Sequence, residues 1–98
     1  MTTLLRKARA GEKITGFPII DLHGHLGEPN FAIAENHCQG LIRDMDNLGV
    51  QTILVSHMQC LGGFPEKGNK ELAGAIAPFS DRILGYASFW PTTDAEVK

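Results

Sequence analysis

At 98 residues the chain has room for one small domain with a modest core, burying roughly two thirds of the surface its unfolded state exposes. A net charge of -2 leaves no basic footprint for nucleic acid or anionic membrane, and no apolar run approaches the ~20 residues of a membrane-spanning helix. Cys38 and Cys60 are too few for a secreted disulfide framework, and charges stand where a signal peptide would be apolar, so free thiols and a cytoplasmic location are expected.

Leu4, Leu5 and Ala8 fit a short amphipathic helix capped by Thr2 or Thr3 and stopped by Gly11. A strand follows from about Phe17 to Gly24. Asn36 and Gln39 form a capping-box-like pair that opens a helix, on which Leu41, Met45 and Leu48 recur at i, i+4 and i+7 before Gly49 closes it. Thr52 to His57 reads as the second strand. Asn69 is the expected N-cap of a further helix with Leu72 and Ile76 on one face, running to Ala77 before the breaker Pro78. Ile83 to Phe89 reads as the third strand, and after Pro91 the pair Thr93 and Glu96 forms a capping box that would open another helix.

The order is therefore β-α-β-α-β behind an N-terminal helix, an α/β pattern that implies parallel strands joined by right-handed crossovers. Helix-to-strand turns are short, whereas the strand-to-helix segments Leu26 to Glu35 and Met58 to Gly68 are long. Long loops thus collect at the C-terminal ends of the strands, the edge that carries the chemistry in parallel α/β folds. His23, His25 and His57 all fall there.

Regular alternation along the first strand places Asp21, His23 and His25 on one face and Ile20 and Leu22 on the other. Two imidazoles projecting side by side from a strand end form a metal-ligand arrangement, because neutral imidazole nitrogen is a preferred donor for zinc and its first-row neighbours. The competing structural reading is a hydrogen-bonded histidine pair. His57 is a candidate pocket residue, as substrate contact or acid-base group, against the more ordinary role of a hydrogen-bonded loop histidine. Cys60 fits a structural thiol better than a pocket one, since no basic neighbour lowers its pKa. Phe89 and Trp90 suit either an aromatic pocket wall or hydrophobic packing. The Gly62-Gly63 pair marks a turn and lacks the Gly-Lys-Ser/Thr ending of a phosphate loop.

The stretch Ile20-Asp21-Leu22-His23-Gly24-His25-Leu26-Gly27 resembles the first-strand signature of the amidohydrolase superfamily, metal-dependent hydrolases built on a (β/α)8 TIM barrel. Met45-Asp46-Asn47-Leu48-Gly49-Val50 is similar to the following helix end in its amidohydrolase-related branch. Asn69-Lys70-Glu71-Leu72, Ser80-Asp81-Arg82-Ile83-Leu84-Gly85-Tyr86-Ala87 and Trp90-Pro91 are similar to its second helix and third strand. The resemblance implies that His23 and His25 ligate a catalytic divalent metal, with zinc expected and manganese or iron as alternatives. Asp21 matches the acidic position that supports the strand and its histidines from behind.

The resemblance also implies a further histidine from a middle strand and a general-base aspartate from the last strand, neither of which this chain holds. A complete barrel needs ~250 residues, so residues 1–98 are expected to be the N-terminal part of a single barrel domain, inactive alone and without an internal boundary. The remainder of the barrel or a partner chain should cover its open sheet, and a homo-oligomer is expected. The expected reaction is hydrolysis of a small substrate by activated water at a carbon–nitrogen or carbon–oxygen bond. Alternatives are non-oxidative decarboxylation in the same branch, metal-dependent phosphoester chemistry, a structural zinc module built on His37, Cys38, His57 and Cys60, and a non-catalytic α/β binding module.

Overall fold

The computed structural model describes residues 3–27 and 37–89. Its elements are α1 (Thr3–Ala10), β1 (Ile20–Leu26), α2 (Cys38–Leu48), β2 (Thr52–His57), α3 (Met58–Leu61), α4 (Pro65–Ile76), a 3-10 turn (Ala77–Phe79) and β3 (Ile83–Gly85). The strands form one open parallel sheet in the order β1-β2-β3, so the expected α/β class and parallel pairing are present.

Helices α2 and α4 lie against one face of that sheet. Along β2 burial alternates, with Ile53, Val55 and His57 buried and Thr52, Leu54 and Ser56 only half-buried. Ile53 and Val55 join Leu26 of β1 and Ile83 of β3 in a core closed by Cys38 and Met45 from α2 and Leu72 from α4. Burying each large aliphatic side chain here contributes about 1.5–3 kcal/mol. The opposite face carries Leu84 of β3, 46% exposed, and Leu54 beside it in register.

Several element boundaries differ from those the sequence suggests, each for a local reason. The strand β1 starts at Ile20 and runs past Gly24 to Leu26, because Gly24, His25 and Leu26 all pair with β2. Helix α2 takes His37 as its N-cap, with no side-chain capping bond, and Asn36 lies outside the described residues. Its other end matches the expectation: Gly49 adopts φ 86° and donates its N–H to Met45 O at 2.8 Å. Leu41 and Ile42 are half-buried beside Met45, whereas Leu48 is 51% exposed.

The second loop is shorter than expected, since Met58–Leu61 forms a helical turn and α4 begins at Pro65 rather than Asn69. Proline suits the first turn of a helix, where its missing N–H has no intrahelical partner. Asn69 is therefore inside α4, and its side chain brackets the backbone of Ser88, donating to the carbonyl at 2.5 Å and accepting from the N–H at 2.9 Å. Leu72 and Ile76 face the core as expected. Strand β3 ends at Gly85, four residues before Phe89, although Tyr86 N–H still donates to Val55 O at 2.8 Å.

Long-range hydrogen bonds anchor the start of β3 and the N-terminal segment. Arg82 donates to Gln51 O at 2.7 Å, Val50 O at 3.1 Å and Asp46 Oδ1 at 2.8 Å, tying the end of α2 to β3. Ile14 N–H donates to Leu48 O at 3.1 Å. Helix α1 forms where its pattern predicts but buries none of its residues, with Leu4 and Leu5 44% and 43% exposed. The Thr93–Glu96 capping box and Trp90 lie outside the described residues.

Candidate metal centre

A β-bulge shapes the strand that carries the histidine pair. The register pairs Asp21 with Ile53 but Gly24 with Val55, so Leu22 and His23 together oppose the single residue Leu54. Regular alternation therefore breaks between Asp21 and Gly24. Asp21 shares the side of Ile53, whereas His25 pairs with Ser56 on the face opposite the core, so the expected sharing of one face by Asp21, His23 and His25 fails for Asp21. Its carboxylate instead accepts the His23 backbone N–H at 3.0 Å, supporting the bulge from within the strand.

Packing explains why glycine separates the histidines. A Cβ on Gly24 would lie 2.7 Å from Ile53 Cδ1 and 2.9 Å from Val55 Cγ1, inside the core. Gly24 thus lets the bulged strand sit flush on β2 while the flanking histidines turn toward the side opposite the core.

The pair converges. The Nε2 atoms of His23 and His25 are 3.0 Å apart, and their ring centroids are 4.8 Å apart in an edge-on arrangement at 66°. His25 Nδ1 lies 3.2 Å from Ser56 Oγ. Two proton arrangements satisfy both contacts, and each leaves one proton shared between the Nε2 atoms. A divalent cation held by both rings would displace that proton, while an Nδ1–H donated to Ser56 Oγ frees Nε2 as a ligand and fixes the ring. Zinc–imidazole bonds of ~2.0–2.1 Å place two nitrogens of a tetrahedral shell about 3.3 Å apart, within a few tenths of an ångström of the spacing here. The donor pair fits such an ion. His23 is exposed and His25 half-buried, so the site is open to solvent.

Ser56 is the residue that strand-end reasoning overlooks. It singles out His57, the more conspicuous side chain, yet period-2 alternation in Thr52-Ile53-Leu54-Val55-Ser56-His57 already groups His57 with Ile53 and Val55. The structure places His57 buried on the helix side, away from the pair. Its Nδ1 accepts the Gln59 N–H at 3.1 Å, which leaves the proton of the neutral ring on Nε2, 3.4 Å from Glu71 Oε2. It faces a cavity of about 430 Å³ lined also by Leu26, Gly27, Cys38 and Glu71.

The other candidates are scattered. Cys38 is buried with its Sγ 3.5 Å from Ala75 O, and burial pushes its thiol pKa up, away from the thiolate that a metal requires. Cys60 is buried separately, its Sγ directed at Pro65 O and Asn69 Oδ1. His37, Cys38 and His57 line one cavity and Cys60 does not. Among the described residues no group of three or more His, Cys, Asp or Glu is placed to hold a metal ion. Phe89 is 63% exposed. No family model, curated protein or solved structure matches the chain.

Proposed function

We propose that this chain contributes the first-strand ligands, His23 and His25, to a divalent-metal-dependent hydrolase whose parallel sheet closes into a (β/α)8 barrel. The observation that carries this reading is the convergence of two Nε2 atoms to 3.0 Å at the C-terminal end of β1, on the face opposite α2 and α4. That face corresponds to the interior of a barrel, where an ion would be shielded and substrate would arrive from the loop side.

When bound, a divalent ion, zinc first, supplies Lewis acidity and makes water a stronger acid than it is in bulk. The chain's own residues hold and orient. His23 and His25 present lone pairs, Ser56 fixes the His25 ring through Nδ1, and Asp21 supports the bulge from which His23 projects. The third histidine and the aspartate that takes the proton of the attacking water would come from further strands. The substrate class is a small molecule with a hydrolysable carbon–nitrogen or carbon–oxygen bond; decarboxylation of a small carboxylate would use the same ligands.

Elemental analysis of the protein purified from cells tests the reading. Stoichiometric zinc, manganese or iron that is lost in both His23→Ala and His25→Ala variants is expected. Metal content unchanged in both variants would overturn it.

A further inference from the structure

The bulge that aims His23 is held at its other polar group by a side chain from the far edge of the sheet. Tyr86 follows Gly85 on the run leaving β3, and its hydroxyl donates to the Leu22 carbonyl oxygen at 3.0 Å, reaching past β2 to β1. Leu22 and His23 share the space of one residue opposite Leu54, so they cannot both keep regular ladder bonds to β2. The His23 N–H is taken by Asp21 Oδ1 at 3.0 Å, and the Leu22 carbonyl by Tyr86. The bulge is thereby fixed on both sides of the Leu22–His23 peptide.

We propose that Tyr86 is a positioning residue for the histidine pair: its hydroxyl locks the Leu22–His23 peptide and so sets the approach of His23 to His25. An extra residue in a strand can migrate along it unless something pins its location, and each one-residue shift turns a side chain to the other face. With the hydroxyl gone, the Leu22 carbonyl loses its Tyr86 partner and the bulge is free to move toward Gly24. His23 then samples directions away from His25, whose own ring stays tied to Ser56. The proposal deepens the metal-site reading and rests on it only for the consequence for ion binding.

The test is made on the full chain, free of metal, with Tyr86→Phe, which keeps the ring and removes one oxygen from a residue 44% exposed. Long-range 1H–15N spectra report the ring nitrogens of all four histidines. His23 and His25 resonances should move in the variant while those of His57, on the other face, stay in place. Unchanged His23 and His25 resonances would overturn the proposal. In the unmutated chain, nuclear Overhauser contacts between the Tyr86 ring and the Leu22–His23 backbone are expected, and their absence contradicts the proposal without any variant. A zinc titration against a chromophoric chelator then separates the two readings: affinity should fall roughly three- to tenfold in Tyr86→Phe, the effect of one hydrogen bond. Shifted ring resonances with no zinc binding by either chain would confirm Tyr86's role and reject the metal site.

Discussion

Two imidazole nitrogens 3.0 Å apart cannot both keep a proton in the gap between them. That exclusion makes His23 and His25 a unit whose contents, one proton or one cation, depend on what else is offered. Ser56 decides how well the cation competes, because an Nδ1–H donated to its hydroxyl leaves His25 Nε2 unprotonated. Ser56→Ala should therefore weaken zinc binding by roughly ten- to a hundredfold, the usual cost of losing a partner behind a ligand, as read by isothermal titration. Cys38 gives a separate check on the core. Its buried thiol has a raised pKa, so the stability it contributes is present in full below the unfolded thiol's pKa of ~8.5 and is lost as pH rises through the higher folded value. The gap in urea midpoint between the unmutated chain and Cys38→Ala should narrow as pH rises above about 8.5; a constant gap would show that Cys38 does not ionise differently in the two states.

Among the elements, β1 shows both the reach and the limit of reading sequence. Its apolar start announces a strand that carries two histidines at its C-terminal end, and the parallel pairing with β2 follows from the alternation of strands and helices. The bulge is not announced. It depends on how Gly24 fits beneath Ile53 and Val55, side chains distant in sequence, and on Tyr86, 64 residues from Leu22. Pro65 shows a different kind of loss: the signal for the start of α4 was present, but Asn69 offered a more familiar cap. Local chemistry places elements, and contacts distant in sequence decide register. Gly24→Ala should test this directly, because its Cβ must displace Ile53 or Val55. A destabilisation of about 1–3 kcal/mol by urea unfolding is expected, together with loss of the His23–His25 contact; a neutral substitution would mean that the strand does not rest on the core as described.

For the molecule as a whole, the asymmetry of the sheet is the dominant fact. One face is buried under α2 and α4, while Leu84 and Tyr86 stand 46% and 44% exposed on the other, and Leu22, in the bulge that Tyr86 reaches, is 65% exposed. Both β1 and β3 are edge strands. Exposed apolar surface of this kind drives association unless further strands cover it. The chain should therefore self-associate with rising concentration in sedimentation experiments, and a Leu22→Ser, Leu84→Ser double variant should remain monomeric at concentrations where the unmutated chain does not. Association unaffected by that change would place the contact elsewhere. The same open face carries the histidine pair, and there a divalent ion would bind. A zinc titration of the full chain, followed through the ring nitrogens of its histidines, tests this binding. His23 and His25 should respond together, with Nε2 of each shifting as it becomes a ligand, while His57 is unmoved; a titration in which neither responds, or in which His57 responds instead, would show that the pair does not bind the ion.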